Sequence, residues 1–300
     1  MVFLMKPIIN EIRDMGINFD VLEEIWVIDG ILINECPLRI GRPEEELGVA
    51  VDLPIEKLPD GRVYIPGSSI KGVLRSLVER ILRTQGRYVC NTFLSINKCK
   101  VAIQLAKRLY EVEMGWKKID ISGILRIIKE GIGSSPPPEV ETLLKNLEDM
   151  ITKINKEEDR KRGILIFLKK EGLPCDVCKL FGNTELSSHI VVENAYPIHE
   201  VGVGYRTRVA IDRFRRASRS RALFTYEYVL PEQEWKFRLK VYNPTSLKHV
   251  LKLMIDYIKD VGLEVGSMKS VGHGLLRLKE YKVKKYVIEN FSVKEEVINL

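Results

Sequence analysis

Hydrophobic residues recur every three or four positions over residues 69–84, and this spacing predicts an amphipathic helix. Its first half lies within "YIPGSSIKGVLRSLVER", Tyr64 to Arg80. The apolar positions form one stripe: Ile70, Val73, Leu74, Leu77, Val78, Ile81 and Leu82. The Pro-Gly pair predicts a turn before the helix, Ser68 or Ser69 is a candidate cap, and Gly86 is placed to end the helix in a left-handed conformation.

The same patterns predict the other elements. A helix over 6–15 and a long β-branched strand over 25–41, bulged at Gly30, come first. Helices are predicted over 100–114, 119–130 and 139–154, and the charged stretch 155–163 predicts a solvated loop. Strands follow over 189–198 and on both sides of a turn at 231–234. A helix over 245–262, capped by Thr245 or Ser246, precedes a closing strand over 272–283.

With the middle helices set aside, the order of elements is β-α-β-β-α-β. This order predicts an α+β fold of the ferredoxin-like type, a topology that RNA-recognition sheets share. We expect residues 1–300 to form one decorated domain. Its core takes about residues 20–90 and 164–285, and its helical insertion takes about residues 100–162.

Basic residues outnumber acidic ones, 48 to 41, for a net charge of +7. This balance favours polyanionic partners, nucleic acid first and an acidic membrane surface second. No apolar run is as long as a membrane span, and "MVFLMKPIINEIRDMG" lacks the basic-then-apolar order of a secretion signal. We therefore expect a cytoplasmic protein without a membrane partner.

Four of the five cysteines are candidate metal ligands. Cys175 and Cys178 have the spacing of half a zinc site, and Cys90 and Cys99 follow the first long helix and could complete it. Four protein ligands would leave no open position, so such a zinc ion would be structural. Redox chemistry and plain buried cysteines remain alternatives. Cys36 is the odd cysteine, and an odd count argues against a disulfide framework.

Two cations stand at the start of the first long helix, where the helix dipole disfavours positive charge. A phosphate would remove this conflict, because two hydroxyls, free N–H groups and both cations would point at it. The residues concerned are Ser68, Ser69, Lys71 and Arg75. The alternative is a capped helix with solvated basic side chains.

Residues 205–221, "YRTRVAIDRFRRASRSR", hold seven arginines and a single acid, Asp212. Arginine pairs with phosphate oxygens through a planar fork and stacks on bases, and Tyr205 and Phe214 add stacking groups. The candidate RNA ligands are Arg206, Arg208, Arg213, Arg215 and Arg216. The alternative is a solvated charge run.

A glycine-rich stretch, "GSMKSVGHGLLRL", precedes the closing strand and supplies four candidate RNA contacts: Gly266, Ser267, Lys269 and His273. Glycine lets the backbone approach a ligand closely. The spacing fits neither a Walker loop nor a dinucleotide fingerprint. An ordinary turn and a core histidine are the alternatives.

Taken together, "YIPGSSIKGVLRSL", "CDVCKLFGN", "IDRFRRASRSRALFTYEY" and "GSMKSVGHGLLRL" closely resemble the RAMP superfamily, in particular backbone subunits of type III CRISPR effector complexes. The resemblance covers about residues 25–100 and 170–280. It implies a modified RNA-recognition fold that binds CRISPR RNA and carries a hairpin "thumb". It also implies further partners: complementary target RNA, other effector subunits and further copies of backbone subunits.

The resemblance also implies a catalytic role for Asp52. Catalytic relatives use an aspartate between the first strand and the proline-glycine turn for target RNA cleavage with a divalent metal, Mg²⁺ or Mn²⁺. Asp60 competes for this role but belongs to a "PDG" turn. Glu44, Glu45 and Glu46 fit a solvated acidic loop.

Two other functions stay open. Some backbone subunits bind guide RNA without cutting it. Other RAMP proteins process precursor CRISPR RNA with a histidine acid or base, and the histidines are His189, His199, His249 and His273. None lies near the first long helix with an obvious partner, which disfavours this third function.

Overall fold

The fold is α+β and is built on a seven-stranded antiparallel sheet. The computed structural model describes residues 7–41, 52–133, 135–212 and 214–300. The described elements are, in chain order, α1 (Pro7–Asp14), β1 (Glu24–Asn34), α2 (Gly67–Thr84), α3 (Lys98–Glu113), α4 (Ile121–Ile132), α5 (Pro138–Ile151), α6 (Glu157–Lys170), α7 (Asp176–Phe181), β2 (Ile190–Val192), β3 (Tyr196–Pro197), β4 (Val203–Asp212), β5 (Ala217–Val229), β6 (Gln233–Tyr242), α8 (Lys248–Asp260), β7 (Leu263–Glu264), β8 (Leu275–Glu289) and β9 (Ser292–Ile298). Short 3₁₀ helices lie at Pro244–Leu247 and Lys269–Val271.

The strand order of the main sheet is β2-β6-β1-β8-β7, with β3 also paired to β6 and β9 to β8. The chain order β1, α2, β2, β6, α8, β8 gives a ferredoxin-like sheet, because β1 lies between the third and fourth core strands. The predicted fold class is confirmed.

One face of this sheet forms the core with α2 and α8. On β1 the inward residues alternate with half-exposed ones, as a sheet with one covered face requires. The buried positions of β1 and β6 include Trp26, Ile28, Leu32, Trp235, Phe237, Leu239 and Val241. The apolar stripe of α2 packs on them through Ile70, Leu74, Leu77, Val78 and Leu82. We call the opposite side, which includes Ile25, Val27 and Asp29, the open face.

The bulge predicted at Gly30 of β1 lies in the neighbouring strand instead, where Lys279 of β8 is the extra residue. The register with β8 shifts between Ile31 and Leu32. Gly30 is needed for a different reason, since a methyl group there would lie 2.7 Å from the Glu280 carbonyl oxygen. Close approach of two strands, rather than the bulge itself, explains this glycine.

The helices α3–α6 lie between α2 and β2 in the chain, and one sequence prediction in this region is wrong. Residues 157–163, expected to be a solvated loop, form the first half of α6. The three acids of its first turn favour the positive end of the helix dipole. Lys161 is buried and pairs with Glu113 at 2.7 Å and Glu158 at 2.6 Å. Ion pairing let a charged segment pack as a helix.

Helix α2 begins without a serine cap, contrary to the prediction. Its N-cap is Pro66 and no side chain makes a capping hydrogen bond there. The Gly67 N–H instead donates to Asn194 Oδ1 at 2.9 Å, and a methyl group on Gly67 would lie 2.2 Å from the Val192 carbonyl oxygen. The prediction that Gly86 adopts a left-handed conformation is confirmed, at φ 71°. Helix α8 likewise starts after Leu247 with no side-chain cap, so the cap expected from Thr245 or Ser246 is wrong.

Strands β4 and β5 form a separate two-stranded sheet, which we call the arginine hairpin. Its register runs from Val203 opposite Val229 to Asp212 opposite Ala217. The far edge of β5 pairs with Leu38 and Leu53. The two strands predicted around 231–234 therefore belong to different sheets. None of the described helices is long and apolar enough to cross a membrane.

Candidate nucleic-acid interface and metal centre

One face of the arginine hairpin combines cations with aromatic rings. Arg206 lies opposite Tyr226 and Arg208 opposite Phe224, so strand alternation puts all four on the same face. The Arg208 guanidinium lies 5.2 Å from the centre of the Tyr226 ring, which is fully buried. Arg206 is exposed and Arg208 half-buried. This face offers phosphate ligands above an aromatic floor.

The glycine-rich turn packs against this face. His273 is buried, its Nε2 lies 3.3 Å from the Tyr226 hydroxyl, and its ring contacts the Tyr228 ring edge-on at 6.1 Å. Burial lowers the pKa of His273, and Arg208, Arg206 and Arg39 lower it further by repulsion. Two segments separated by some 50 residues of sequence thus meet in a positively charged region.

Arg39 completes this region, and sequence reasoning missed it. Its side chain is buried, with the residue 6% exposed, and Nη1 donates to Ser267 Oγ at 2.7 Å. Its Nε is buried without a hydrogen-bond partner, and Arg39 forms no ion pair with any described residue. Burial lowers the pKa of this guanidinium. A buried charge that nothing compensates is costly, so for the contacts that the described residues make, a bound anion would lower the cost of burying Arg39. The available signal was an arginine five residues past the end of β1, in the segment "CPLRIGR".

Two glycines of the turn have structural explanations. Gly266 and Gly274 are left-handed, at φ 88° and 89°. A methyl group on Gly266 would lie 2.2 Å from the Arg39 carbonyl oxygen, and one on Gly274 would lie 2.1 Å from that of Val265. The Ser267 N–H donates to the Arg39 carbonyl at 2.8 Å. The turn therefore approaches protein backbone closely and fixes the position of Arg39.

Lys269 lies in a groove of about 510 Å³ between the turn and helix α2. The helix contributes Gly72, Ser76 and Arg80, and Arg80 is a further cation that the sequence motifs did not single out. An added methyl group at Gly72 would meet nothing within 4 Å, so this side of the helix is open. The groove extends the positive region from the glycine turn to α2.

The two predicted cations of α2 contact a different part of the protein. Lys71 Nζ donates to Ser188 Oγ at 2.9 Å and to the Ile190 carbonyl at 3.3 Å. Arg75 donates to Glu79 and to the Gly182 carbonyl. Burial lowers the pKa of Lys71. Ser68 is exposed and Ser69 half-exposed at the helix start. Lys71 and Arg75 thus bridge α2 to the α7–β2 segment, rather than lining the Lys269 groove.

The hairpin turn exposes further predicted residues. Asp212 Oδ1 accepts hydrogen bonds from the Phe214 and Arg215 N–H groups at 2.9 and 3.0 Å, which orders the turn. Phe214 is 97% exposed, and Arg215 and Arg216 are exposed as well. Arg213 lies outside the described residues. The turn presents an aromatic ring and two cations to the surroundings.

Asp52 lies beside the hairpin, on the edge of β5. Its Oδ2 accepts a hydrogen bond from the Thr225 N–H at 2.6 Å, and the residue is exposed. The buried Glu227 carboxylate anchors the same segment, because it accepts hydrogen bonds from the Ile55 N–H at 3.0 Å and from Lys57 Nζ at 2.6 Å. The competing Asp60 pairs with Arg62 at 2.8 Å and is explained by its turn. Glu44, Glu45 and Glu46 lie outside the described residues.

The four predicted metal ligands Cys90, Cys99, Cys175 and Cys178 form one buried cluster. Cys175 and Cys178 flank the start of α7, Cys90 follows α2, and Cys99 stands in the first turn of α3. Their sulfurs lie within 4.8 Å of one another, with Cys90 Sγ 3.2 Å from Cys178 Sγ and 3.9 Å from Cys175 Sγ. Zinc–sulfur bonds of about 2.3 Å set tetrahedral sulfur separations of about 3.8 Å. The donor set and spacing therefore fit zinc.

Hydrogen bonds from the other thiols, Cys178 first, lower the pKa of Cys175. Hydrogen bonding to Cys175 and burial raise the pKa of Cys90 and of Cys99. The cluster thus favours a single thiolate, at Cys175. Several thiolates at once would need a cation to balance their charge. The Cys175 N–H also donates to Cys99 Sγ at 3.2 Å, as backbone amides do at thiolate ligands.

Two of the remaining histidines have structural partners. His189 is buried, contacts the Lys179 carbonyl at 2.7 Å, and has a pKa that burial lowers. His249 Nε2 lies 2.8 Å from Arg87 and 3.5 Å from Asp176. His199 is exposed.

The model of the RAMP superfamily matches residues 32–277. A search of curated proteins gives no match. Among solved structures, one similar chain comes from the cryo-EM structure of the Type III-B Cmr-beta bound to cognate target RNA. The two are 14% identical with a TM-score of 0.46, and the match covers 87% of this chain and 61% of that chain's length. Because the family model spans well over half of its residues, this chain belongs to the RAMP superfamily.

Proposed function

We propose that this chain is a CRISPR RNA-binding backbone subunit of a type III effector complex. The observation that carries the proposal is Arg39: a buried guanidinium that no acid among the described residues pairs with, beside Arg206, Arg208 and His273. A polyanion is the ligand that such a group of cations favours. Membership of the RAMP superfamily and the motifs that resemble type III subunits support the same function.

In this proposal the guide backbone runs along the cationic face of the arginine hairpin, past the glycine turn and into the Lys269 groove. Arg206, Arg208 and Arg39 contact phosphates, and the half-buried Phe224 on the same face supports a stacked base. Arg213, Arg215 and Arg216 act at the hairpin turn. Ser68, Ser69, Lys71 and Arg75 remain candidate phosphate contacts at the start of α2, where Lys71 also contacts Ser188.

The hairpin turn also supports the proposal of protein partners. Val209, Ile211 and Phe214 are exposed apolar residues on a projecting two-stranded sheet. Exposed apolar residues grouped in this way are typical of interaction surfaces. We assign them to a neighbouring backbone copy or another effector subunit, with the complementary target RNA bound to the guide.

We further propose that Asp52 takes part in cleavage of target RNA. Its Oδ2 is held by the Thr225 N–H, which leaves Oδ1 to bind a divalent cation, Mg²⁺ or Mn²⁺, together with RNA phosphate oxygens. One carboxylate with phosphates and waters is a common Mg²⁺ environment. Such a cation supplies positive charge to the phosphate as negative charge develops there. In this step the role of the protein is to hold the Asp52 carboxylate in place beside the hairpin.

The test is reconstitution of the complex with guide and complementary RNA. We expect the wild type to cut the target only with Mg²⁺ or Mn²⁺ and Asp52→Ala to assemble normally without cutting. Asp60→Ala, which removes a nearby exposed carboxylate, is the matched control and should cut as the wild type does. Assembly by a wild type that leaves its target intact would instead identify a non-catalytic guide-binding subunit.

The cysteine cluster is proposed to hold a structural zinc ion. Zinc there would join the end of α2, the start of α3 and α7, three segments distant in sequence. It would stabilise the fold and leave no coordination position for substrate.

A further inference from the structure

A second candidate binding surface lies on the open face of the main sheet, at the end far from the glycine turn. Tyr242 and Tyr286 stand directly opposite Ile25 from its two sides, so a tyrosine, an isoleucine and a tyrosine form one row across β6, β1 and β8. Both tyrosines are half-buried and line a groove of about 420 Å³. The row offers two aromatic side chains on a rigid sheet.

The next two rows along the strands carry cations. Lys240 and Lys284 stand opposite Val27, and Arg238 and Lys282 stand opposite Asp29. Successive rows on one face are separated by two residues, about 6.6 Å. One aromatic row is therefore followed along the strands by two cationic rows at a regular interval.

The acids near these cations do not neutralise them fully. Arg238 pairs with Asp29, Lys240 with Glu193 at 2.7 Å, and Lys284 with Glu295 at 2.8 Å. Lys282 forms no ion pair with any residue that the structure describes. Exposed ion pairs are worth about 0–1 kcal/mol each, so a phosphate could exchange with these carboxylates at small cost. The two cationic rows keep a net positive charge beside the tyrosines.

This surface is separate from the interface assigned above. β1 rises about 3.3 Å per residue, so Ile25 lies about 30 Å from Asn34 at the other end of the strand, and Arg39 follows beyond it. The arginine hairpin and the glycine turn contact the chain at that far end. One short stretch of RNA cannot occupy both places.

We propose that the open face binds single-stranded RNA, with bases stacked on Tyr242 and Tyr286 and phosphates on Lys240, Lys284 and Lys282. Base stacking on aromatic side chains is tolerant of sequence, and a flat sheet with cations in the next row fits a single strand better than a duplex. The bound strand would be a segment outside the part held at the arginine hairpin.

The test is photo-crosslinking of the full-length chain to a single-stranded RNA that carries 4-thiouridine, with the crosslinked peptides identified by mass spectrometry. We expect crosslinks at peptides that contain Tyr242 or Tyr286. The double variant Tyr242→Ala/Tyr286→Ala should lower their yield about tenfold, since each stacked base contributes to binding. Tyr242→Phe/Tyr286→Phe keeps both rings and should keep the yield.

Tyr196→Ala is the matched control, because Tyr196 is 41% exposed on the same sheet but outside the groove. Crosslinks at the arginine hairpin report the proposed guide site separately. If RNA crosslinks to the arginine hairpin but not to β6 or β8, the proposal of a binding site on the open face is overturned and the proposed guide site is not. Unchanged yield in the alanine variant would overturn it too, as would protection of this face by a protein subunit in the assembled complex without any RNA crosslink.

Discussion

Two cations of this protein, the half-buried Lys71 and the buried Arg39, differ in what surrounds them. Lys71 donates hydrogen bonds to a serine hydroxyl and a carbonyl. Among the described residues, the Arg39 guanidinium bonds only to the Ser267 hydroxyl, and its buried Nε has no partner there. Buried polar groups are normally satisfied, and exceptions call for a reason. For Arg39 the reason that we propose is a ligand phosphate.

Arg39→Met should separate function from stability. Loss of a costly buried charge is expected to leave the free energy of unfolding unchanged or to raise it by about 1–4 kcal/mol, since methionine fills much of the same space. RNA affinity should fall about tenfold or more, because a charge-assisted contact is lost. Urea unfolding and fluorescence anisotropy with single-stranded RNA measure the two effects. Arg62→Met, which removes an exposed cation, is the control, and equal loss of affinity in both variants would contradict a specific role for Arg39.

The cysteine cluster predicts one zinc ion per chain. Cys90→Ser or Cys178→Ser should abolish stoichiometric zinc and lower the free energy of unfolding by about 3 kcal/mol or more, since three chain segments lose their common ligand. Metal analysis and thermal unfolding with and without a chelator test this. Cys36→Ser, outside the cluster, should retain zinc. Purified wild type without zinc and insensitive to chelator would contradict the assignment.

His273 predicts a pH dependence of stability. Its pKa in the folded protein lies below the ordinary 6.5, because burial and the arginines Arg208, Arg206 and Arg39 disfavour the charged ring, which also faces Tyr226 and Tyr228. As the pH falls below 6.5, the unfolded chain takes up the proton first, so stability is lost on acidification. Denaturant unfolding at pH 7.5 and 5.5 should show a smaller loss for His273→Gln than for the wild type. An equal loss would remove His273 from the explanation.

At the scale of elements, helix α2 shows how one segment serves two surfaces. Its apolar stripe faces the sheet, Lys71 and Arg75 contact the α7–β2 segment, and Gly72 and Ser76 line the Lys269 groove. Two glycines five residues apart therefore have opposite roles. Gly67 permits close packing, and Gly72 leaves open space.

Gly72→Ala and Gly67→Ala form a matched pair. The first should raise the free energy of unfolding by about 1 kcal/mol, the ordinary helix preference for alanine, because nothing lies near the added methyl group. The second should lower it by about 1–3 kcal/mol, because the methyl group overlaps the Val192 carbonyl. Urea unfolding of both variants tests this. Destabilisation by Gly72→Ala would show that the exposed side of the helix is packed rather than open.

Local patterns predicted most helices and strands, because burial in this fold follows simple periodicity. The apolar stripe of α2 and the alternation on β1 are read directly from the sequence. The first half of α6 could not be predicted in this way, because it depends on the pairing of Lys161 with Glu113, which is 48 residues away in sequence. The start of α2 was not predicted either, since its first N–H is bound by the distant Asn194. Predictions failed where long-range contacts replaced local capping or solvation.

At the scale of the whole molecule, three distant segments meet at the candidate interface: the end of the first strand, the arginine hairpin and the glycine turn. The motifs identified the second and third, and composition identified a polyanion as partner. Arg39 was missed because the segment "ECPLRIGR" matches no motif. The significance of Arg39 depends on its burial and on the lack of an acidic partner in the part of the chain that the structure describes, and both come from three-dimensional contacts.

The most direct measurement is the salt dependence of single-stranded RNA binding by the wild type and by Arg39→Met/Arg206→Ala/Arg208→Ala. Each lost phosphate contact removes about 0.7 from the slope of log affinity against log salt. The triple variant should therefore bind more weakly at low salt, with a slope shallower by about 2. The control Arg62→Ala/Arg126→Ala/Lys145→Ala removes three cations elsewhere and should keep the wild-type slope. Equal slopes for the wild type and the Arg39 triple variant would contradict a phosphate path along the hairpin and the glycine turn.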